Sequence, residues 1–338
     1  MLWRTPGHTP SSLRTEFVRD CADEIRHVLA LHANEAGQFS ALGPDPWRVM
    51  WNASRTGFVS FLEERHCIVT WRSPVATETE QIELLAALRG YAQHKTVFAL
   101  GIDERIAEAL EGRGFHATWI GTECHLHLPD WSVTGGRRQK VRWARSHATK
   151  LGVTWREAYP APGSDDERAL ERVEQRWKSE RKERATNSFL RNDFRELLDF
   201  RRYFVAELGG QLVASITCTP VSGESWYLQD PVRDPSAPRG ALEGAMAHAM
   251  DRLRDDGFTS VSNGILPFWR PDDGTATPLQ SGLFTRRLIG LFDRLYRFQS
   301  INQFRSKFIP DEVVAVSVLR SRRWITPPVV RSLVKILL

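Results

Sequence analysis

Hydrophobic residues in the first third of the chain change from helical to strand spacing. Leu13, Phe17, Ile25 and Leu29 recur at helical intervals behind serines that could cap a helix. Apolar runs near residues 58–62 and 67–71, joined by a polar turn, predict a hairpin. The stretches that follow predict a helix at IELLAALRGYAQ, a strand at TVFALG, a helix at ERIAEALEGRG closed by Gly114, and a strand at ATWIGTECHLHL. This order indicates a mixed α/β fold.

The second half repeats this order after a break at PDWSVTGG. A charged helical region is predicted from about Arg137 to Phe200, followed by a hairpin in RRYFVAELGGQLVASITCTP with Gly209 and Gly210 at its turn. A strand at SWYLQD, a helix at ALEGAMAHAMDRLRDDG that ends at Gly257, and a strand at TSVSNGIL complete the pattern. Hairpin, strand, helix and strand in both halves predict two copies of one fold.

Length and composition agree with two units. The chain has 338 residues, 41% of them hydrophobic, which is enough for two cores. A net charge of +5 favours an anionic partner such as RNA, a phosphate ester or an acidic membrane. Four cysteines lie far apart without a CxxC pair, which is typical of reduced thiols. No window is apolar enough for a signal peptide or a spanning helix, so we expect a cytoplasmic protein, at most peripheral to a membrane.

The repeated unit resembles the acetyltransferase (GNAT) fold, whose central strands splay apart and leave backbone N–H groups free to hold a carbonyl oxygen. Such donors suit acyl transfer, because an oxyanion develops there. The acyl-CoA form of this fold usually has R/Q-x-x-G-x-G/A between strand and helix. The segment RGALEGA supplies Arg239, Gly240 and Gly244 at a different spacing, which argues against acetyl-CoA.

Several blocks in order resemble a more specific family, the C-terminal domain of phosphatidylglycerol lysyltransferase. The blocks are IGTECHLHLPDWSVTGGRRQKVRWARSHATKLGV, DPVR, NGILPF and RFQSINQFRSKFIP. The resemblance implies an α/β fold of tandem GNAT-like domains with mixed central sheets, and an amino acid taken from aminoacyl-tRNA. The acceptor would be a phosphatidylglycerol-type lipid or, as in soluble relatives, a small metabolite. Thr122 replaces the first glutamate of the family's G-E-E-A, and DEVVAVSVL replaces its residues after the final proline.

The resemblance also implies domain boundaries and site residues. We expect a GNAT-like domain at 1–130, a basic helical connection at 131–200, a catalytic GNAT-like domain at 201–320 and a basic amphipathic helix at 321–338. Asp230 and Arg233 are the expected catalytic residues, in DPVR. Substrate binding is expected from Lys307, Arg305, Glu123 and Gly264, and tRNA binding from Arg137, Arg138, Lys140, Arg142 and Arg145. Neither a metal nor a cofactor beyond the aminoacyl-tRNA is expected.

A basic stretch from Trp131 to Arg156 has the composition that RNA binding requires. It contains seven Lys or Arg and no acid. Apolar Val141, Ala144, Ala148 and Leu151 would form one side of a helix, leaving Arg138, Arg142 and Arg145 free to face phosphates. A solvated basic helix without a partner is the alternative.

DPVR follows the predicted strand SWYLQD, where a splayed pair of strands would place the reacting ester. Asp230 could bind the α-ammonium group of the amino acid or accept the acceptor's proton. Arg233 could hold a phosphate or steady Asp230 through a bidentate pair. A surface ion pair at a strand end is the alternative.

Two segments near the C-terminus also carry candidate residues. Leu295, Phe298, Ile301, Phe304 and Phe308 lie at near-helical intervals, so burial of the aromatic rings would fix Arg305 and Lys307 beside the cleft, unless these cations lie in a solvated turn. The tail SRRWITPPVVRSLVKILL predicts a basic amphipathic helix that either packs on its own domain or meets an anionic bilayer.

Further alternatives remain. Glu123, His125 and His127 share a strand face, a pattern compatible with zinc as well as with a polar domain junction. Two rival functions are an acyl-CoA-dependent N-acyltransferase and a noncatalytic module that binds tRNA or membrane.

Overall fold

One mixed sheet runs through the whole molecule. The computed structural model describes residues 15–42, 46–180, 195, 198–270 and 298–337, and the structural statements below concern these. Their strands are β1 Thr15–Phe17, β2 Arg48–Trp51, β3 Phe58–Glu63, β4 Cys67–Trp71, β5 Thr96–Asp103, β6 His116–His127, β7 Val153–Ala158, β8 Arg202–Leu208, β9 Gln211–Ser222, β10 Ser225–Leu228, β11 Val232–Arg233, β12 Ser260–Pro267 and β13 Glu312–Arg320. The helices are α1 Ala22–His32, α2 Glu78–Ala92, α3 Glu104–Leu110, α4 Gln139–Lys150, α5 Asp165–Glu180, α6 Ala241–Asp255, α7 Phe298–Arg305 and α8 Pro327–Leu337.

Each half contains a parallel strand pair within antiparallel surroundings. In the first half, β4 pairs parallel with β5, and α2 crosses between them. In the second half, β10 pairs parallel with β12, and α6 crosses between them. A hairpin precedes each crossover, β3–β4 in one half and β8–β9 in the other. The repeated unit and the predicted mixed α/β fold are therefore confirmed.

Local sequence signals explain where these elements begin and end. Thr77 and Glu80 form a capping box at the start of α2, which satisfies two backbone donors there. Gly209 and Gly210 both have positive φ at the tight turn between β8 and β9, a conformation that glycine adopts without steric cost. Gly257, also at positive φ, follows α6 as predicted.

Three predictions about local structure are wrong. Thr15–Phe17 is an edge strand paired with β2 rather than part of the first helix, and Leu13 and its preceding serines lie outside the described residues. Helix α3 ends at Leu110, four residues before Gly114. The predicted charged helical region contains strand β7, which pairs with β8, and part of that region lies outside the described residues.

The two halves meet along three adjacent strands. The sheet order is β1-β2-β3-β4-β5-β13-β6-β12-β10-β9-β8-β7, with β11 paired to β9. Strand β13, late in the chain, lies between β5 and β6 of the first half, and β6 pairs with β12 of the second half. Side chains from both halves can therefore reach one face at this junction. The four domain boundaries stay a prediction.

The C-terminal helix packs on the first half. Val329 and Ile336 of α8 are buried in the same hydrophobic cluster as α1 and strands β2 to β4. The apolar side of α8 is thus buried against protein, but against the first half rather than the domain that precedes the helix in the chain. Among the described residues, no helix combines the length and the apolar character needed to cross a bilayer.

Candidate functional site

Strands β10 and β12 separate beside Asp230. Their pairing runs from Ser225 with Ser260 to Tyr227 with Ser262 and stops there. After β10 the chain turns toward β9, to which β11 is paired. Because Asp230 lies between the end of β10 and β11, it sits at the opening of a V between two parallel strands. This is where the splayed strands were expected to place a reacting ester.

Among the described residues, the Asp230 carboxylate lacks the hydrogen bonds that would offset its burial. Its Oδ2 is inaccessible to water and has no hydrogen-bond partner among the described residues. Burial raises the pKa of Asp230 from its ordinary value of 3.8 to about 6, although Arg201 and Arg305 act in the opposite direction. A buried acceptor without a partner costs stability, so this position is compatible with a site that a ligand completes.

Arg233 does not pair with Asp230. It is exposed at the end of β11, whose two residues align with Ser215 and Ala214 of β9. The predicted bidentate pair is therefore wrong. The carboxylate that binds an arginine here belongs to Asp234, which is buried and lies 3.1 Å from Nε of Arg176. Arg233 remains available to a phosphate.

Arg305 is fixed under the V as the sequence predicted. Its guanidinium is buried, donates to the carbonyl of Asn263, and lies 6.0 Å from the ring centroid of Tyr227. The Asn263 side chain in turn donates to the Arg305 carbonyl at 3.1 Å. Gly264, at φ +76°, leaves room for this arginine, because a Cβ there would overlap Nη1 of Arg305.

The structure describes some of the hydrophobic residues that were expected to fix Arg305 and Lys307. Phe308 is fully buried, and its ring lies 5.9 Å from that of Phe304. Leu295 lies outside the described residues, as does the side chain of Phe298. Burial of Phe308, with Phe304 packed against it, therefore supports the predicted anchoring of Arg305 from one side.

Lys307 is held by a carboxylate of the neighbouring helix. Its Nζ lies 2.8 Å from Oε1 of Glu243, which is buried in α6. Because removal of Lys307 would leave Glu243 buried without a counter-charge, we expect Lys307→Ala to destabilise the fold. Substrate binding by Lys307 stays a prediction, since its side chain is 27% exposed.

The five arginines and lysines expected to bind tRNA differ in exposure. Arg138 is buried and donates to the carbonyl of Phe308 at 2.9 Å and to Asp311, so the expectation that it is free to face phosphate is wrong. Arg145 lies 2.8 Å from Asp251 of α6, and Arg142 donates to the carbonyl of Gly135. Both are therefore only partly available.

The solvent side of α4 consists of other residues. Lys140, Trp143 and Lys150 are exposed, and the Trp143 ring stacks at 5.1 Å on His147. Arg137 is half exposed while its Nη1 lies 2.7 Å from Asp311. Val141, Ala144 and Ala148 are buried as predicted, but Leu151 is exposed. The solvent side of α4 is therefore basic. It also carries the ring of Trp143, which counting the Lys and Arg residues did not reveal.

The loop that would bind acyl-CoA is filled by protein. A Cβ on Gly240 would overlap the carbonyl of Ala144 in α4, and one on Gly244 would overlap the indole of Trp155. Arg239 lies over the ring of Trp143, 4.8 Å from its centroid. A pyrophosphate cradle needs open backbone N–H groups at a helix start, and α4 covers this one.

A second polar cluster lies at the junction of the halves. Glu123 of β6 is buried, forms an ion pair with Arg72, accepts a 2.6 Å hydrogen bond from Ser262, and lies 3.7 Å from Nε2 of His125. Burial alone would raise the pKa of Glu123, but Arg72 and His125 hold it below its ordinary value. His127 binds Asp130 instead, and the described residues contain no cluster of three metal ligands. The geometry therefore favours the ion pair over zinc.

Arg72 was missed by the sequence reasoning. It follows β4 at φ +66°, where a non-glycine residue is uncommon, and its Nε lies 3.2 Å from Glu35. A cavity of about 190 Å³ opens beside it, lined also by Glu123 and Glu312. The only signal available was Glu123, because its partner lies 51 positions away.

Comparison with known proteins identifies the family. The family model "Phosphatidylglycerol lysyltransferase, C-terminal" matches residues 45–319. This chain belongs to that family. A phosphatidylglycerol lysyltransferase of Staphylococcus aureus is 20% identical over 284 residues, which is 77% of this chain and 31% of that protein. This chain spans about a third or less of the length of the curated relatives it matches.

Solved structures confirm the fold. The C-terminal DUF2156 domain of a lysylphosphatidylglycerol synthetase candidate from Agrobacterium fabrum superposes with a TM-score of 0.77 at 16% identity, covering 94% of this chain and 95% of that one. L-PGS from Bacillus licheniformis gives a TM-score of 0.72 at 17% identity, covering 93% and 96%. The predicted family resemblance is therefore confirmed.

Proposed function

We propose that this chain is an aminoacyltransferase that moves an amino acid from aminoacyl-tRNA to a hydroxyl or amine acceptor. Membership of the lysyltransferase family supports aminoacyl transfer. The observation that carries the proposal is Oδ2 of Asp230, which lies at the opening between β10 and β12 and has no hydrogen-bond partner among the described residues. A general base beside the ester would promote attack by the acceptor, and Asp230 combines that position with a pKa raised to about 6.

In the proposed reaction the acceptor oxygen or nitrogen attacks the ester carbonyl carbon. Asp230 takes the acceptor's proton, and the bond from the carbonyl carbon to the terminal ribose oxygen breaks. Protonated Asp230 returns this proton to the ribose oxygen as the tRNA leaves, so atoms and charge balance and the carboxylate is regenerated. Arg305, held against Asn263 below the V, lowers the cost of negative charge on Asp230. Stabilisation of the oxyanion by backbone N–H groups of the splayed strands stays a prediction.

The donor would approach over α4. Lys140, Lys150 and half-exposed Arg137 supply positive charge, and Arg239, which lies over the ring of exposed Trp143, adds a further cation. This surface adjoins the start of α6, where Gly240 contacts α4. An acyl-CoA donor is disfavoured, because the same contact fills the loop that would hold its pyrophosphate.

Acceptor-dependent deacylation tests the function. Purified protein is incubated with a pool of radiolabelled aminoacyl-tRNAs, with and without an extract of lipids and small metabolites. We expect release of one amino acid into an organic or aqueous product, and the phase identifies a lipid or a small-molecule acceptor. Asp230→Asn should lower kcat, with the wild-type rate rising through about pH 6. Absence of release from every charged tRNA, with folded protein, would overturn the proposal.

Peripheral membrane contact is a separate proposal. The buried apolar side of α8 does not support a contact through that side. The neighbouring Trp324 is 78% exposed, and the guanidinium of Arg323 lies 5.7 Å from its ring centroid. An exposed indole preceded by two arginines suits an anionic bilayer surface, so the loop before α8 would make the contact.

A further inference from the structure

A strained turn separates α7 from β13. Ser306–Phe308 forms a 3₁₀ turn directly after α7, and Ile309 follows with φ +50° and ψ +93°. A β-branched residue is rarely found at positive φ, because its Cβ there approaches the following carbonyl oxygen. Such a conformation persists only where surrounding contacts hold it, and strained residues cluster at functional sites. The contacts that hold Ile309 therefore bear on function.

Two arginines directly before α4 hold this turn. Nε of Arg138 donates to the carbonyl of Phe308 at 2.9 Å, and its Nη2 donates to the carbonyl of Ile309 at 3.3 Å. Nη2 of Arg137 donates to the carbonyl of Pro310 at 3.1 Å. The arginines lie 170 to 173 positions before the carbonyls they bind. The conformation of the turn therefore depends on where α4 packs.

Arg138 is more firmly anchored than Arg137. The side chain of Arg138 is 4% exposed, and its Nη2 lies 3.2 Å from Oδ2 of Asp311. Its guanidinium lies 4.7 Å from the ring centroid of Trp131, which stacks on the ring of Phe308 at 6.3 Å. Arg137 binds Asp311 as well, but its side chain is 53% exposed. Loss of the Arg138 guanidinium would therefore release the turn.

A released turn would move the segment before it rather than β13. Asp311, just beyond the turn, is fixed to β6, because its N–H donates to the carbonyl of His125 at 2.8 Å. The segment on the other side of the turn carries Lys307 and Arg305. Rotation of the backbone at Ile309 would therefore displace these two cations.

We propose that Arg138 is a positioning residue for aminoacyl transfer. It holds the turn at Ile309 and thereby keeps Lys307 and Arg305 in place near the V that contains Asp230. Arg138 acts through the turn rather than by contact with a substrate. Its role in transfer rests on the proposed function, whereas its hold on the turn does not.

A double-mutant cycle in the full chain tests this role. Arg138→Lys keeps the charge beside Asp311, but a single ammonium nitrogen cannot replace a fork that binds two carbonyls and a carboxylate. We expect kcat to fall about a hundredfold, as a shift of about 1 Å near reacting groups does, with KM for charged tRNA within about twofold. Ile309→Gly added to this variant should raise kcat about tenfold or more, because glycine adopts positive φ without steric cost. Ile309→Gly alone should keep kcat within about twofold of the wild type. An unchanged kcat in Arg138→Lys, or a loss that Ile309→Gly does not restore, would overturn the proposal.

Hydrogen exchange of residues 306–311 gives a readout that needs no tRNA. The N–H of Ile309 donates to the carbonyl of Ser306 at 3.2 Å, so its exchange reports whether the turn is closed. Arg138→Lys should speed exchange of this segment about tenfold or more, and Ile309→Gly should reverse part of that change.

Arg254→Lys is the matched control. The guanidinium of Arg254 also donates to a backbone carbonyl, that of Trp131 at 3.2 Å, and does not contact the turn. This variant should leave kcat and the exchange of residues 306–311 unchanged. Equal changes in Arg254→Lys and Arg138→Lys would show a general loss of stability and overturn the positioning role.

The failures of the two proposals are distinguishable. A wild type that deacylates charged tRNA, with the same kcat in Arg138→Lys, would retain the transferase and overturn the positioning role. A wild type that transfers no amino acid, while exchange of the turn depends on Arg138, would retain the hold on the turn and overturn the transferase together with the role in transfer.

Discussion

Arg72 of the first half and Glu123 at the junction form a buried ion pair. Both side chains are almost completely buried, and Ser262 of the second half donates to the same carboxylate at 2.6 Å. Glu35 adds a further carboxylate, and its pKa is raised because burial outweighs the attraction of Arg72. One guanidinium therefore neutralises carboxylates that β6 and the end of α1 bring together.

Replacement of this guanidinium should destabilise the fold strongly. Arg72→Met would leave Glu123 and Glu35 buried without a counter-charge, and we expect a loss of about 3–5 kcal/mol in the free energy of unfolding. Lys335→Met, which breaks the exposed pair with Glu64, should cost at most about 1 kcal/mol. Urea unfolding of both variants measures the difference. Similar losses would show that burial of the Arg72 pair contributes little.

Asp230 should make stability depend on pH. Its folded pKa of about 6 exceeds its ordinary value of 3.8, so between these pH values the folded chain binds the proton more readily than the unfolded chain. The stability contributed by the protonated form is present in full below about pH 4 and is lost as pH rises through about pH 6. Asp230→Asn cannot ionise, so near pH 8 the variant should be more stable than the wild type by about 1–3 kcal/mol.

The matching measurement is urea unfolding of both proteins across this range. The stability difference should shrink as pH falls from about pH 8 toward pH 4, whereas transfer activity should be low in the variant throughout. A gain in stability joined to a loss of activity is expected of a group retained for function. A variant less stable than the wild type near pH 8 would contradict the raised pKa.

Local patterns predicted most elements of the fold. The hairpin turn at Gly209 and Gly210, the helix ending before Gly257 and the buried side of α4 depend on neighbours a few residues apart, and these predictions are confirmed. Arg138 shows what such patterns miss. Its burial depends on Phe308 and Asp311, which lie 170 and 173 positions away, so the sequence indicated a free phosphate ligand where the fold has a structural ion pair.

Sequence motifs likewise predicted some residues of the candidate site and missed others. Asp230 and Arg305 were predicted from motif blocks of the family; Asp230 follows β10 and Arg305 lies 6.0 Å from the ring of Tyr227 on β10, and their roles stay predictions. Arg72 and Glu35 carried no motif, and the sheet order, in which β5 and β13 lie between β4 and β6, places Arg72 where it contacts both Glu35 and Glu123. Sheet order is set by contacts between distant segments, so no local period reveals it.

Cations on α4 should control tRNA affinity. Lys140→Gln and Lys150→Gln each remove an exposed charge, so each should lower the slope of log affinity against log salt by about 0.7–0.9. Lys335→Gln, on α8, should leave the slope unchanged although this side chain is 71% exposed. Binding titrations of uncharged tRNA at several salt concentrations measure the slopes. Equal slopes in all three variants would remove α4 from the RNA-binding surface.

Gly264 should be required for catalysis because of its surroundings rather than its backbone angle. Gly264 and Gly210 share a φ of +76°, yet a Cβ on Gly264 would overlap Arg305 whereas one on Gly210 has nothing within 4 Å. Gly210→Ala should therefore cost only the strain of the left-handed conformation, about 1–2 kcal/mol of stability, and keep its transfer rate. Gly264→Ala adds displacement of Arg305 from Asn263, and a shift of about 1 Å near the reacting groups can lower kcat about a hundredfold.

Unfolding curves together with single-turnover transfer rates separate the cost in stability from the cost in catalysis. A full transfer rate in folded Gly264→Ala would show that the position of Arg305 does not matter for the reaction.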